Sequence, residues 1–369
     1  MTKPDDTPNH YLEKSIVDKI FNLLCETCAV ILFITSSISF ATEKGKLPGF
    51  TTSPYYNEQV VTFYFNDEIR VHINASAAGS FKENQPVGLA LFALPNGNTI
   101  EQTVGKVLKT GYDWHYDIQH IGAQTRFLRQ KIIDYNLIIV YLETKQKSWP
   151  LWKSQHPDHA QIVNTLVEYL KSCFKDYQLF IILTGHSGGG RFIFSFMDAF
   201  SAIPEDVKRI CFLDSDYGYE NYYGDYIVKW PNASQDYFLS VLAYDDSVAL
   251  YNGKPVVSAT GGTWYRSHMM QKYFSGFYTF TTTDDDRFIT HSALNGRIKI
   301  LLKKNHNREI LHTVQVERNG FIHTMLTGTE LESKGYEYYG ERVYSDLIQA
   351  DELPENNNNP PIPIPVINH

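Results

Sequence analysis

The chain has 369 residues, 43% of them hydrophobic and 20% charged, a balance typical of globular proteins and long enough for one large α/β domain whose core needs no disulfides. Its 33 basic and 41 acidic residues leave a net charge of −8, with no Lys/Arg-rich run, which argues against a nucleic-acid partner because phosphate binding needs a basic surface. The 25 Tyr, 22 Phe and 5 Trp suit either a ring-packed core or a ring-lined cleft, and composition does not choose between them.

Residues 27–40 (TCAVILFITSSISF) form an uncharged, mostly apolar run. Lys14 and Lys19 precede it, and Ser39-Phe40-Ala41 follows with small residues where a signal peptidase cuts. The pattern predicts a secretory signal with a long leading segment over residues 1–42, and hence a secreted or periplasmic protein with no membrane span after cleavage. A signal anchor starting near Ile20 is the alternative. Cys25 and Cys28 would leave with the signal, so their C-x-x-C spacing is no sign of redox or zinc chemistry. Cys173 sits in a helical pattern and Cys211 in a strand pattern; two buried free thiols are expected, with a disulfide as the alternative.

Further along, residues 59–65 and 69–74 are β-rich runs around Asn66-Asp67, a hairpin signal. Continuous apolar runs follow at 87–94, 137–142, 179–183, 209–213 and 237–243, and 310–316 is taken as the last strand. Such runs belong to a parallel sheet covered on both faces. Between them, helical spacing covers residues 117–131, 158–173, 190–200 and 289–303, with another helical segment around 337–348. The alternation predicts a doubly wound, mostly parallel α/β sheet with the first hairpin antiparallel at one edge. The domain is expected over residues 43–350. Residues 251–287 form an insertion near the mouth of any site at the strand ends, and 351–369, rich in Pro and Asn, are a disordered tail.

One motif carries chemistry. Gly185-His186-Ser187-Gly188-Gly189 is G-x-S-x-G, placed directly after an apolar strand and before a helix. A nucleophilic serine on a sharp strand-to-helix turn projects its hydroxyl above the sheet edge, and the flanking glycines remove Cβ atoms that would clash there. The following helix N-terminus favours developing negative charge. A phosphate loop is excluded by Arg191-Phe192 where Lys-Ser/Thr would stand.

With this motif after the third buried run, the order of elements over residues 59–349 resembles the α/β-hydrolase superfamily. The resemblance implies a Ser-His-Asp triad with Ser187 as nucleophile, the acid next in the chain and the histidine last. Asp246 is the expected acid: it follows the next-to-last strand, and AYDDSVAL resembles the acid loop of cutinase-type polyesterases. Asp245, Asp214 and Asp216 stay open. Of the histidines beyond it (His268, His291, His306, His312, His323, His369), His323 is the expected base, on a loop after the last strand. His312 is assigned a structural role in that strand.

Gly188 is expected to give one oxyanion donor through its backbone N–H, and Asn96, Gly97 or Asn98, in the Leu94–Thr99 loop, the other. Trp264, Tyr265 and His186 are candidate substrate contacts. His156–His159 is assigned to a helix start and Asp284–Asp286 to a solvated turn, so neither metal nor cofactor is expected. The expected function is hydrolysis of carboxylic esters, small or polymeric, through an acyl-enzyme. An amidase or peptidase with the same triad, or a non-catalytic binding protein, are the competing readings. Oligomeric state is not legible.

Overall fold

In the computed structural model, residues 44–350 are described. The expected signal or anchor at 1–42 and the expected tail at 351–369 lie outside the described residues. Residues 45–350 belong to one compact unit. No helix among the described residues is long and apolar enough to cross a membrane.

The frame is an eleven-stranded sheet. In chain order its strands are β1 (Thr51–Thr52), β2 (Gln59–Phe65), β3 (Ile69–Ala75), β4 (Val87–Ala93), β5 (Asn136–Thr144), β6 (Leu179–His186), β7 (Val207–Leu213) and β8 (Phe238–Tyr244). A separate two-stranded hairpin of β9 (Leu250–Tyr251) and β10 (Lys254–Pro255) follows, and then β11 (Thr281–Asp284), β12 (Phe288–Ala293) and β13 (Ile298–Lys303) close the sheet. The order across the large sheet is β1-β2-β3-β5-β4-β6-β7-β8-β13-β12-β11. The block from β5 to β13 is parallel, and both flanks are antiparallel. The first hairpin is antiparallel as expected; Asn66 and Asp67 both take positive φ (50° and 54°), the geometry of a two-residue hairpin turn.

Alternation along the central strands explains how helices come to lie on both faces. On β4, Val87, Leu89, Leu91 and Ala93 join one apolar core, while Ala90 and Phe92 join the other. On β5, Ile138, Val140 and Leu142 face the first core, and Leu137, Ile139 and Tyr141 the second. Two-sided burial is why these strands have no polar face in the sequence. The first core is covered by α3 (Trp149–Gln155), α4 (His159–Ser172), α5 (Gly190–Met197), α6 (Asn221–Ile227) and α7 (Gly262–Phe274). The second is covered by α1 (Ile100–Val104), α2 (Ile121–Lys131) and α8 (Phe321–Leu326).

The C-terminal third departs from expectation. Residues 289–303 are two strands of a hairpin, not a helix, turning at Asn295-Gly296 with φ of 56° and 88°. That Asn-Gly pair is a hairpin signal that outweighs the apparent helical spacing. Residues 310–316 are not a strand: β13 already occupies the edge of β8 and is itself covered by β12, so the sheet offers this segment no partner. The expected helix near 337–348 reduces to one short turn at Ser345–Leu347.

Candidate active site

Because β4, β6, β7, β8 and β13 run parallel, the loops leaving their carboxyl ends gather along one sheet edge, where open α/β sheets bind ligands. Ser187 follows β6 directly at φ 55°, an unfavourable conformation for a residue with a Cβ, and the chain then turns through Gly188-Gly189 into α5. A Cβ on Gly189 would stand 2.1 Å from the Ala93 carbonyl oxygen at the end of β4, and one on Gly190 would stand 1.7 Å from that of Ser215. The turn therefore closes only with glycine at these positions. A Cβ on Gly188 would fall 2.0 Å from Oδ1 of Asn96, so the Asn96 side chain is packed directly over Gly188.

Asp214 is the first residue past β7 and, like Ser187, has positive φ (46°). Its N–H donates to the Leu242 carbonyl at 2.7 Å, which fixes its backbone to β8. The carboxylate is fully buried. One oxygen, Oδ2, is hydrogen-bonded by Nδ1 of His312; the other, Oδ1, accepts from the Thr263 hydroxyl. His312 lies in the loop that leaves the carboxyl end of β13 and is 23% exposed, so its ring joins a buried acid to the accessible edge. The ring also packs on that of His186, the neighbour of Ser187, with centroids 4.5 Å apart. His186 Nε2 donates to the His312 carbonyl at 3.2 Å. Burial holds His186 neutral, its pKa well below the usual imidazole value.

Asp246, after β8, is equally buried but held differently. Its Oδ2 accepts from the Thr263 N–H at 2.8 Å and its Oδ1 from the Trp264 N–H at 3.3 Å, the first turn of α7. Gly262, at φ 84°, is forced by this contact, since a Cβ would lie 2.4 Å from Oδ2 of Asp246. Burial, reinforced by the Asp214 charge, raises the Asp246 pKa to about 7 against the pull of these two N–H groups. Asp216, which accepts from the Ser267 hydroxyl at 2.8 Å, is pushed well above the carboxylate range by burial. Asp245 accepts from its neighbour Ser247.

The expected pairing of Asp246 with His323 is not made. His323 lies inside α8, not on a loop, with Nδ1 3.1 Å from the Tyr336 hydroxyl and its ring stacked on Tyr338 at 4.8 Å. Burial lowers its pKa to about 4. The strand expected at 310–316 is not there: β13 ends at Lys303, His312 comes nine positions later in the exit loop, and His323 lies one element further on. His306 is exposed, and His291 lies on β12 bonded to Thr282. The signals that lead to His312 were Asn295-Gly296 and the Asp214-Ser215-Asp216 run after β7.

Three further expectations are revised. The Gly97 N–H already donates to the Lys147 carbonyl at 2.8 Å, so it is no oxyanion donor; Asn96, beside Gly188, remains. His186 is 1% exposed and holds the His312 backbone, so it is not a substrate contact. Trp264 is half-buried against the first core and Tyr265 is 40% exposed. Cys211 is buried and Cys173 exposed, contrary to the expectation for Cys173, and both thiols are free. His156 Nδ1 donates to the Trp152 carbonyl at 2.7 Å. Asp285 accepts the N–H groups of Arg287 and Phe288 in a turn.

No family model matches the chain, and no curated protein matches it. Among solved structures it is similar to the dipeptidyl peptidase 4 of Porphyromonas gingivalis, at 10% identity and a TM-score of 0.30, over 60% of this chain. The chain spans 30% of the length of that structure. At this level of similarity neither activity nor substrate carries over.

Proposed function

We propose that the protein is a serine hydrolase of the α/β-hydrolase type that cleaves carboxylic esters, with Ser187, His312 and Asp214 as its triad. One observation carries the proposal: a buried aspartate bonded to Nδ1 of a partly exposed histidine, whose ring packs on that of His186, the residue before a serine held at positive φ between strand and helix.

With Nδ1 engaged by Asp214, Nε2 of His312 is the nitrogen left to take the Ser187 proton. Ser187 Oγ attacks the ester carbonyl, and negative charge develops on the carbonyl oxygen. The Gly188 N–H and Asn96 supply its donors, aided by the N-terminus of α5. Asp214 holds the imidazole in the useful tautomer and stabilises the imidazolium, which returns its proton to the leaving alcohol. Water activated by His312 then attacks the acyl-enzyme, releasing the carboxylic acid and restoring Ser187. The same residues would cleave an amide given a substrate with an amine leaving group.

A fluorophosphonate probe tests the nucleophile: wild type is expected to label and Ser187→Ala not. Labelling that persists in the variant overturns the proposal. p-Nitrophenyl esters beside the matching anilides then separate esterase from amidase, with esters expected to turn over faster. The export signal remains part of the proposal, and a secreted protein whose first residue is still Met1 would refute cleavage.

A further inference from the structure

A cavity of about 660 Å³, within the range of small-molecule sites, opens beside His312. Three rings line it, Tyr217, Tyr244 and Tyr251, and Pro255, Val256, Val257 and Ile310 complete its apolar wall. Tyr251 and Pro255 come from the β9–β10 hairpin, which turns at Asn252-Gly253 with φ of 50° and 74°. Its apolar side chains are unusually wet: Tyr251 is 65%, Ile310 43% and Val256 36% exposed. Apolar groups clustered around the rim of a concave site, beside a proposed catalytic base, mark a place where a ligand replaces water.

Position decides which half of an ester this cavity takes. His312 contributes to its wall, whereas Ser187, Gly188 and Asn96 do not. The acyl carbon must bond to Ser187 Oγ with its oxygen at the Gly188 and Asn96 donors. The leaving oxygen must receive its proton from His312. A cavity on the histidine side therefore faces the alcohol half.

The lining also indicates the chemistry of that half. Flat phenol faces and aliphatic walls favour a ring over an extended chain. The hydroxyls of Tyr217 and Tyr244 have no hydrogen-bond partner among the described residues. Burial and the neighbouring carboxylates Asp214 and Asp246 raise both phenol pKa values, which keeps the two hydroxyls as donors. Asn252 and Lys254 add polar groups to the lining.

We infer that this cavity binds the alcohol half of the substrate as a ring with an apolar face and a hydrogen-bond-accepting edge. This rests on the proposed triad. Both aromatic alcohols and pyranose sugars have this chemistry.

The test holds the acyl group at acetyl and varies the alcohol: ethyl, hexyl, benzyl and 4-hydroxybenzyl acetates and a mono-acetylated methyl pyranoside. At least one ring acetate is expected to exceed both chain acetates in kcat/KM by about ten-fold or more, and the benzyl and pyranoside arms tell which ring is preferred. Tyr251→Ala, a surface change, is expected to lower the ring-to-ethyl ratio about five-fold. Ring and chain acetates turned over within two-fold of each other, with Ser187 still labelled by fluorophosphonate, overturn the cavity assignment and leave the triad standing. So does an unchanged ratio in Tyr251→Ala. Absence of Ser187 labelling overturns the triad and this inference with it.

Discussion

The loops leaving β7 and β8 each bury an aspartate at the same sheet edge, and they hold it in opposite ways. Asp214 is met by side chains, the His312 ring and the Thr263 hydroxyl. Asp246 is met by backbone, the N–H groups of Thr263 and Trp264. Thr263 stands between them, its N–H on one acid and its hydroxyl on the other. Two carboxylates this close raise each other's cost of ionisation. Asp214 faces a histidine; Asp246, held by two amide N–H groups and at 3.5 Å by the Thr263 hydroxyl, is driven up to about 7 by burial and by the Asp214 charge. The same residue type, buried alike, thus meets a histidine in one loop and docks a helix in the next.

The most severe test of this contrast is the pair of amide variants. Asp214→Asn keeps the shape but removes the charge behind His312, and is expected to lower kcat by about 10⁴-fold. Asp246→Asn is expected to lower it by less than about ten-fold. Steady-state kinetics on a p-nitrophenyl ester checks both, and a reversed ranking would return the acid to β8.

Stability distinguishes the acids next. An Asp246 pKa of about 7 in the fold exceeds its value of 3.8 in the open chain, so the native state binds the extra proton between those pH values. Its contribution is complete below pH 4 and is lost as pH rises through 7, in total on the order of 4 kcal/mol. Chemical denaturation from pH 5 to 8 is expected to show wild type losing stability more steeply than Asp246→Asn. Asp216, raised in the same direction, is common to both proteins, so the difference isolates Asp246. Parallel curves would show that Asp246 is charged in the fold.

A smaller effect is expected where the two acids meet. Thr263→Val leaves the N–H on Asp246 and removes the hydroxyl from Asp214, with an expected loss of about ten-fold in kcat and a shift of the acid limb of the pH–rate profile. Thr263→Ser should restore both. A valine variant with an unchanged profile would mean that the hydroxyl only packs.

Legibility in the sequence followed the strength of the local signal. The strands from β2 to β8 were legible because burial on both faces leaves uninterrupted apolar runs such as Leu179–Leu183, and the elbow because its glycines answer a local steric demand at Ala93 and Ser215. The histidine and acid were not, because their pairing spans 98 residues and depends on where the last parallel strand lies. Residues 298–303 (IKILLK) satisfy helical and strand periodicity alike, and only Asn295-Gly296 decides between them. With a last strand at 310–316 the loop beyond it holds His323; with β13 ending at Lys303 the exit loop holds His312.

His323 therefore offers the gentlest test, because sequence order alone favours it. It is buried among Tyr336, Tyr338 and the second core, where a charged imidazole would be costly; hence its pKa of about 4. A base working near neutral pH needs a proton affinity closer to that pH and a path to the serine. His323→Phe preserves a flat ring against Tyr338 and loses only the contact with the Tyr336 hydroxyl. The expected cost is about 1 kcal/mol of stability, with kcat within two- to three-fold of wild type. His312→Phe should be inactive, and less stable because it leaves the buried Asp214 carboxylate with only the Thr263 hydroxyl. If the two phenylalanine variants instead exchange phenotypes, the β7 loop is the structural one, and the contrast between the two aspartates reverses with it.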